Sequence, residues 1–193
     1  LCQAGEKMIF YHITSEKRAK SILKEGFRLK GKNYIQDNGN GVYLTEKWCV
    51  PFWIDILKAD IYRHEKLCVI EVEMEEHLRM LKLDANETTA EVSEDYQKVH
   101  DWYFENKHEV DGLIASNRRL RTLNLTYLWH QKSYVENNKS GYIIELYCKK
   151  HAYDGVISNK YQIVAGQKKK EYNIVTIYDP QKIKSFAVIK TDA

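Results

Sequence analysis

One stretch near the end of the chain, Glu171-Tyr-Asn-Ile-Val-Thr-Ile-Tyr-Asp-Pro180, constrains the fold more than any other. From Tyr172 to Tyr178 it is rich in β-branched and aromatic residues, which suit a pleated, packed surface. Apolar groups fall on both faces, with Tyr172, Ile174 and Tyr178 on one and Val175 and Ile177 on the other. A strand covered on both sides belongs near the middle of a sheet. Asp179-Pro180 ends it, because proline has no N–H to give to the ladder. At its entrance stands a lone carboxylate, Glu171, which follows Lys168, Lys169 and Lys170 on a loop read as Gly166 to Lys170. On spacing alone Glu171 reads as a solvated residue.

A second strand opens the chain, Met8 to Thr14, and carries His12 near its C-terminal end. Ser15 follows as a helix N-cap, Ala19, Ile22 and Leu23 repeat at helical spacing, and Gly26 closes that helix with Phe27 packed behind it. Taken alone, His12 reads as a hydrogen-bonded structural histidine. A polar connection over 31–41 ends in two Asn-Gly pairs, which favour tight positive-φ turns. Val42 to Thr45 is the short strand leaving that turn, and Gly41 lets a backbone or a ligand approach it closely. Pro51 suits the first turn of an apolar helix running to about Tyr62, and Lys66 to Met74 alternates as a strand.

From Glu75 to about Asn138 charge density rises and the pattern becomes helical, with Tyr96, Val99, Trp102 and Tyr103 on one face. Arg118-Arg-Leu-Arg121 lies beside Tyr127 and Trp129; basic residues among aromatics can grip single-stranded nucleic acid, though a solvated helix face is the commoner meaning. Beyond it, Gly141 to His151 reads as an amphipathic helix. Tyr153 to Ser158, Tyr161 to Ala165 and Ile183 to Ile189 read as strands.

The 193 residues suffice for one domain with a sizeable core. A net charge of +3 does not demand nucleic acid as a partner. Four dispersed cysteines, without a CxxC pair or a histidine at metal spacing, point to a reduced cytoplasmic chain without a metal. No apolar run is long enough to span a membrane. The first residues carry neither methionine nor a secretory pattern, as expected of a processed product or a piece of a longer polypeptide.

Three blocks together resemble a known family. Phe10-Tyr-His-Ile-Thr with Ser21-Ile-Leu-Lys-Glu-Gly-Phe-Arg28, then Gly39-Asn-Gly-Val-Tyr-Leu-Thr45, then Lys170-Glu-Tyr-Asn-Ile-Val, look like the three motifs of the ADP-ribosyltransferase fold of the poly(ADP-ribose) polymerase and diphtheria-toxin type. The resemblance implies an α+β fold with two small, facing, mostly antiparallel sheets around an NAD cleft. It treats 1–193 as a single domain and 75–138 as a helical insertion within it.

The family's triad falls on His12, Tyr43 and Glu171. The resemblance implies that Tyr43 stacks on nicotinamide and His12 bonds the adenosine ribose. Backbone at Ile13 holds the carboxamide, where the family often has glycine, and Glu171 favours positive charge on the sugar. Thr14, Arg28, Gly41, Thr45, Trp48 and Phe52 complete the expected cofactor site. NAD is then a substrate and no metal is implied. Lys169 departs from the arginine-modifying toxins, which carry Glu or Gln there; Glu171 departs from the RNA phosphotransferases of the same fold. The implied activity is transfer of a single ADP-ribose to a protein or nucleic-acid acceptor by a bacterial or phage effector or toxin. The alternative is a catalytically weak domain that binds NAD or a partner.

Overall fold

The computed structural model describes residues 8–29, 38–59, 62–83, 93–116, 125–128, 133–164 and 167–189, with side chains left aside over 125–128, 133–140 and 159–172. Arg118 to Arg121 and Trp129 lie outside the described residues, and so does the side chain of Tyr127.

The chain is α+β. Its strands are β1 (Ile9–Ser15), β2 (Val42–Thr45), β3 (Leu67–Met74), β4 (Met80–Leu83), β5 (Leu125–Leu128), β6 (Ser133–Glu136), β7 (Gly155–Val164), β8 (Gln167–Ile177) and β9 (Ile183–Ile189). Its helices are α1 (Glu16–Glu25), α2 (Val50–Ala59), α3 (Glu94–Glu105), α4 (Lys107–Ser116) and α5 (Asn137–Lys150). Seven strands make one mixed sheet in the order β4-β7-β8-β2-β1-β3-β9, while β5 and β6 pair separately. Among the described strands only β4 and β7 pair in parallel.

Local chemistry accounts for the first unit. The Ser15 side chain accepts from the Arg18 N–H at the start of α1, and Gly26, at φ 74°, returns its N–H to the Ile22 carbonyl. Ala19 and Ile22 then pack α1 onto Val42, Leu44, Ile70, Val72, Val175 and Ile177. Helix α2 covers the other face of the sheet through Tyr11, Ile13, Leu67 and Val69. Helices α3, α4 and α5 build a further core with Leu81, Leu83 and Val156, so the segment between Glu75 and Asn138 supplies both helices and the edge strand β4.

Two expectations need correcting. Where two facing sheets were expected, β4-β7-β8-β2 and β1-β3-β9 are joined into one by a single residue pair, Tyr11 with Thr45. That pair is the seam between β4-β7-β8-β2 and β1-β3-β9. The loop expected over Gly166 to Lys170 is, from Gln167 on, the start of β8, and the short strand expected over Tyr161 to Ala165 is, as far as Val164, the end of β7, with Ala165 and Gly166 outside the described residues. The two strands pair from Gly155–Ile177 out to Val164–Gln167. Cross-strand pairing carries polar residues that intrinsic strand preference disfavours.

Candidate functional site at the seam of the sheet

The seam explains the place of His12. Continued from Tyr11 and Thr45, the antiparallel ladder would set Ile13 opposite Tyr43. Instead, the Tyr43 carbonyl accepts a hydrogen bond of 2.9 Å from Nδ1 of His12. A carbonyl can only accept, so Nδ1 carries the proton, and in the neutral ring Nε2 is left as an acceptor. Phe27 meets the imidazole edge-on, with ring centroids 5.3 Å apart. Burial pushes the His12 pKa below its ordinary value and the charge of Arg18 adds to this, against the pull of the Tyr43 carbonyl. The imidazole is therefore neutral at pH 7.

Tyr43 is fixed by its other end. Its hydroxyl donates to the Gly39 carbonyl and accepts from the Asn38 N–H, each at 2.9 Å. The turn that holds it is itself anchored through Asn38, which is only 4% exposed. Its amide donates to Thr176 Oγ1 at 3.2 Å and accepts from Ser158 Oγ at 3.0 Å, and its carbonyl takes the Tyr178 hydroxyl. The Asn40 N–H donates to buried Glu145 of α5, whose other oxygen pairs with Lys149. Gly39 has φ 86°, and a Cβ there would stand 2.7 Å from both the Gly141 carbonyl and Glu145 Cβ. At Gly41 a Cβ would stand 2.5 Å from Thr176 Cγ2, so the close approach read at this glycine is made by β8. The two Asn-Gly pairs signalled a turn; that it is clamped by a helix a hundred residues away has no signal in the sequence.

The ring of Tyr43 belongs to an apolar group with Trp48, Phe52 and Trp53 around buried Cys49 and Ile174. Trp48 sits in a 3-10 turn, Lys47–Cys49, that leads from β2 into α2, where Phe52 lies. Thr45, two residues along from Tyr43 and hence on the same face of β2, is 4% exposed, and its hydroxyl has no hydrogen-bond partner among the described residues. His12 leaves the sheet on the α1 side with Phe27, whereas Tyr43 leaves it on the α2 side. The two groups thus meet at the seam through the Tyr43 main chain.

The third strand of the candidate triad is also adjacent, since β8 pairs with β2 from Val42–Ile177 to Thr45–Ile174. Ile174 is the β8 side chain that joins the Tyr43 group. Glu171 lies three residues earlier, past the last β2 pair, in register with Tyr161 of β7. Its side chain is outside the described residues. Between the two, Asn173 donates its backbone N–H to Glu46 Oε2 at 3.0 Å, which ties the end of β2 to β8.

The remaining candidates are spread around this centre. Ile13 is buried in register with Val69, and Thr14 is 2% exposed with its hydroxyl 3.5 Å from that of Tyr62. Arg28 extends into solvent beyond α1 and pairs with Glu25 at 3.2 Å. Sequence reasoning missed Asn38, Glu46, Tyr62 and Glu145, all of which act through partners distant in the chain. Among the described residues no three His, Cys, Asp or Glu side chains group as metal ligands do, and no helix is long and apolar enough to cross a membrane. Compared with protein-family models, curated proteins and solved structures, the chain matches none.

Proposed function

We propose that this chain cleaves NAD between nicotinamide and ribose and transfers the ADP-ribose to a protein or nucleic-acid acceptor, as a mono-ADP-ribosyltransferase. One observation carries the reading: His12, Tyr43 and Glu171, assigned from motifs far apart in the chain, lie on three strands that are neighbours in the sheet, β1, β2 and β8. The dinucleotide would lie across the seam. At its adenosine end Nε2 of His12, which has no hydrogen-bond partner among the described residues, would accept from a ribose hydroxyl. At its other end the Tyr43 ring, walled by Trp48 and Phe52, would stack on nicotinamide. The unpartnered Thr45 hydroxyl suits the polar carboxamide of such a ring, because a buried polar group gains most from a partner. Main chain at Ile13, where the β1–β2 ladder has stopped, supplies further carboxamide partners. Glu171 would stabilise the oxocarbenium-like sugar by its charge.

The test is nicotinamide release from NAD by purified protein, with and without lysate as acceptor, followed by mass spectrometry of modified products. Glu171→Gln is expected to lower release by about 10²-fold or more while NAD binding persists. Tyr43→Ala is expected to weaken NAD binding through lost stacking and ring area. Release by Glu171→Gln at the wild-type rate would overturn the glutamate-dependent mechanism. A second reading, an NAD- or partner-binding domain with weak or no turnover, is favoured by Ile174, the apolar side chain that β8 sets beside Tyr43. It predicts NAD binding without release in the wild type.

A further inference from the structure

We propose that Arg18 is a phosphate-binding residue at the adenosine end of the seam, positioned by Tyr62; this rests on the dinucleotide reading above. Arg18 lies in the first turn of α1, three residues beyond the N-cap Ser15 and four beyond Thr14, which ends the His12 face of β1. Its Nη1 donates to the Tyr62 hydroxyl at 2.8 Å, and its guanidinium carbon stands 5.5 Å over the Tyr62 ring centroid. Tyr62 is 6% exposed, packed in the group formed by Tyr11, Ile13, Leu67 and Val69. The phenol is therefore a fixed post for the guanidinium, and its hydroxyl lies 3.5 Å from Thr14 Oγ1.

Among the described residues no carboxylate pairs with Arg18. Glu16 pairs with Lys20 on the opposite side of the turn, and Arg18 and Lys17 form no ion pair among the described residues. An ordered cation held by a neutral phenol, at the positive end of a helix dipole, keeps its charge available for an anion. Arg18 also stands close enough to His12 for its charge to oppose protonation of the imidazole. A planar guanidinium with four further N–H donors suits the paired oxygens of a phosphate. At a site where His12 receives a ribose, two phosphates come within reach of such a residue: the diphosphate of the dinucleotide, or a 2′-phosphate on the adenosine ribose.

Titration calorimetry of wild type, Arg18→Gln and Tyr62→Phe with adenosine, ADP-ribose, NAD and NADP tests this. Adenosine is expected to bind all three proteins alike. If the diphosphate is the ligand, ADP-ribose, NAD and NADP all lose about tenfold in Arg18→Gln. If the 2′-phosphate is the ligand, only NADP loses. Tyr62→Phe, which frees the guanidinium without removing it, should show a smaller loss of the same pattern, and in wild type the phosphate-dependent part should weaken as salt rises. Equal affinity of all four compounds for wild type and Arg18→Gln overturns the assignment of Arg18 alone. Wild type that binds none of them overturns the dinucleotide reading and this inference together.

Discussion

Tyr43→Phe separates what the Tyr43 hydroxyl does from what its ring does. The hydroxyl bridges the Asn38 N–H and the Gly39 carbonyl at 2.9 Å each, in a turn whose Asn38 is almost fully buried. Removing it leaves the N–H of buried Asn38 without its partner, and the cost of such an orphan is about 1–3 kcal/mol. At about 2 kcal/mol, a chain of this length should lose about 4–8 °C in unfolding midpoint. The ring keeps its place against Cys49 and Ile174, because that contact is apolar. NAD affinity in Tyr43→Phe should therefore stay within about threefold of wild type, well under the tenfold that 1.4 kcal/mol represents. The assays are thermal unfolding followed by circular dichroism and NAD titration well below the transition. A variant as stable as wild type would refute the argument that this hydroxyl holds the 38–41 turn. A variant that unfolds normally but no longer binds NAD would move the hydroxyl from scaffold to ligand contact.

Three further outcomes are expected. His12 has a folded-state pKa below its unfolded value, so its stabilising contribution is full above about pH 6.5 and is lost as pH falls through the folded pKa. Denaturant midpoints of wild type should drop between pH 7 and pH 5 more steeply than those of His12→Gln; parallel profiles would contradict a neutral, packed imidazole. Gly39→Ala should cost about 2 kcal/mol or more, from a positive φ together with a Cβ 2.7 Å from main chain and side chain of α5. Gly112→Ala, in the open on α4, should instead stabilise by about 0.5–1 kcal/mol, and chemical denaturation of the pair compares them directly.

Much of the local structure was legible because its causes are local. Ser15 and Gly26 mark the ends of α1 by cap chemistry, and the alternation of Leu67 to Met74 marks β3. What links these pieces was not legible. The parallel pairing of β4 with β7 joins residues about seventy-five positions apart, and the clamp of Glu145 on Asn40 joins residues 105 apart. Nor does any residue pattern announce that the β1–β2 ladder stops after one pair. That outcome depends on an imidazole taking a carbonyl that a strand partner would otherwise use. The candidate site follows the same division. His12 and Tyr43 were found by motif, but the turn that fixes Tyr43 and the phenol that holds Arg18 could be seen only in three dimensions.

The register of β8 decides where on this surface any chemistry can occur. Strand β2 ends at Thr45, so the last residue β8 can set beside the Tyr43 group through the ladder is Ile174, an aliphatic wall with no charge to offer. Glu171 stands three residues upstream, about 10 Å along an extended strand. There, among the described strands, it pairs with β7 and no longer with β2, in register with Tyr161. A carboxylate at that position can reach a sugar only if the bound dinucleotide extends past the end of β2 toward the turn that holds Trp48. The Glu46 contact to Asn173 bears on this, because it locks the β8 main chain between Ile174 and Glu171 to the end of β2. On the proposed reading, binding and turnover would therefore fall on different lengths of the same strand. On that reading the apolar group around Ile174 would set affinity for the nicotinamide end, and the ribbon beyond Asn173 would set the rate. Loss of rate without loss of affinity in Glu171→Gln is the outcome expected if the proposed transferase reading holds.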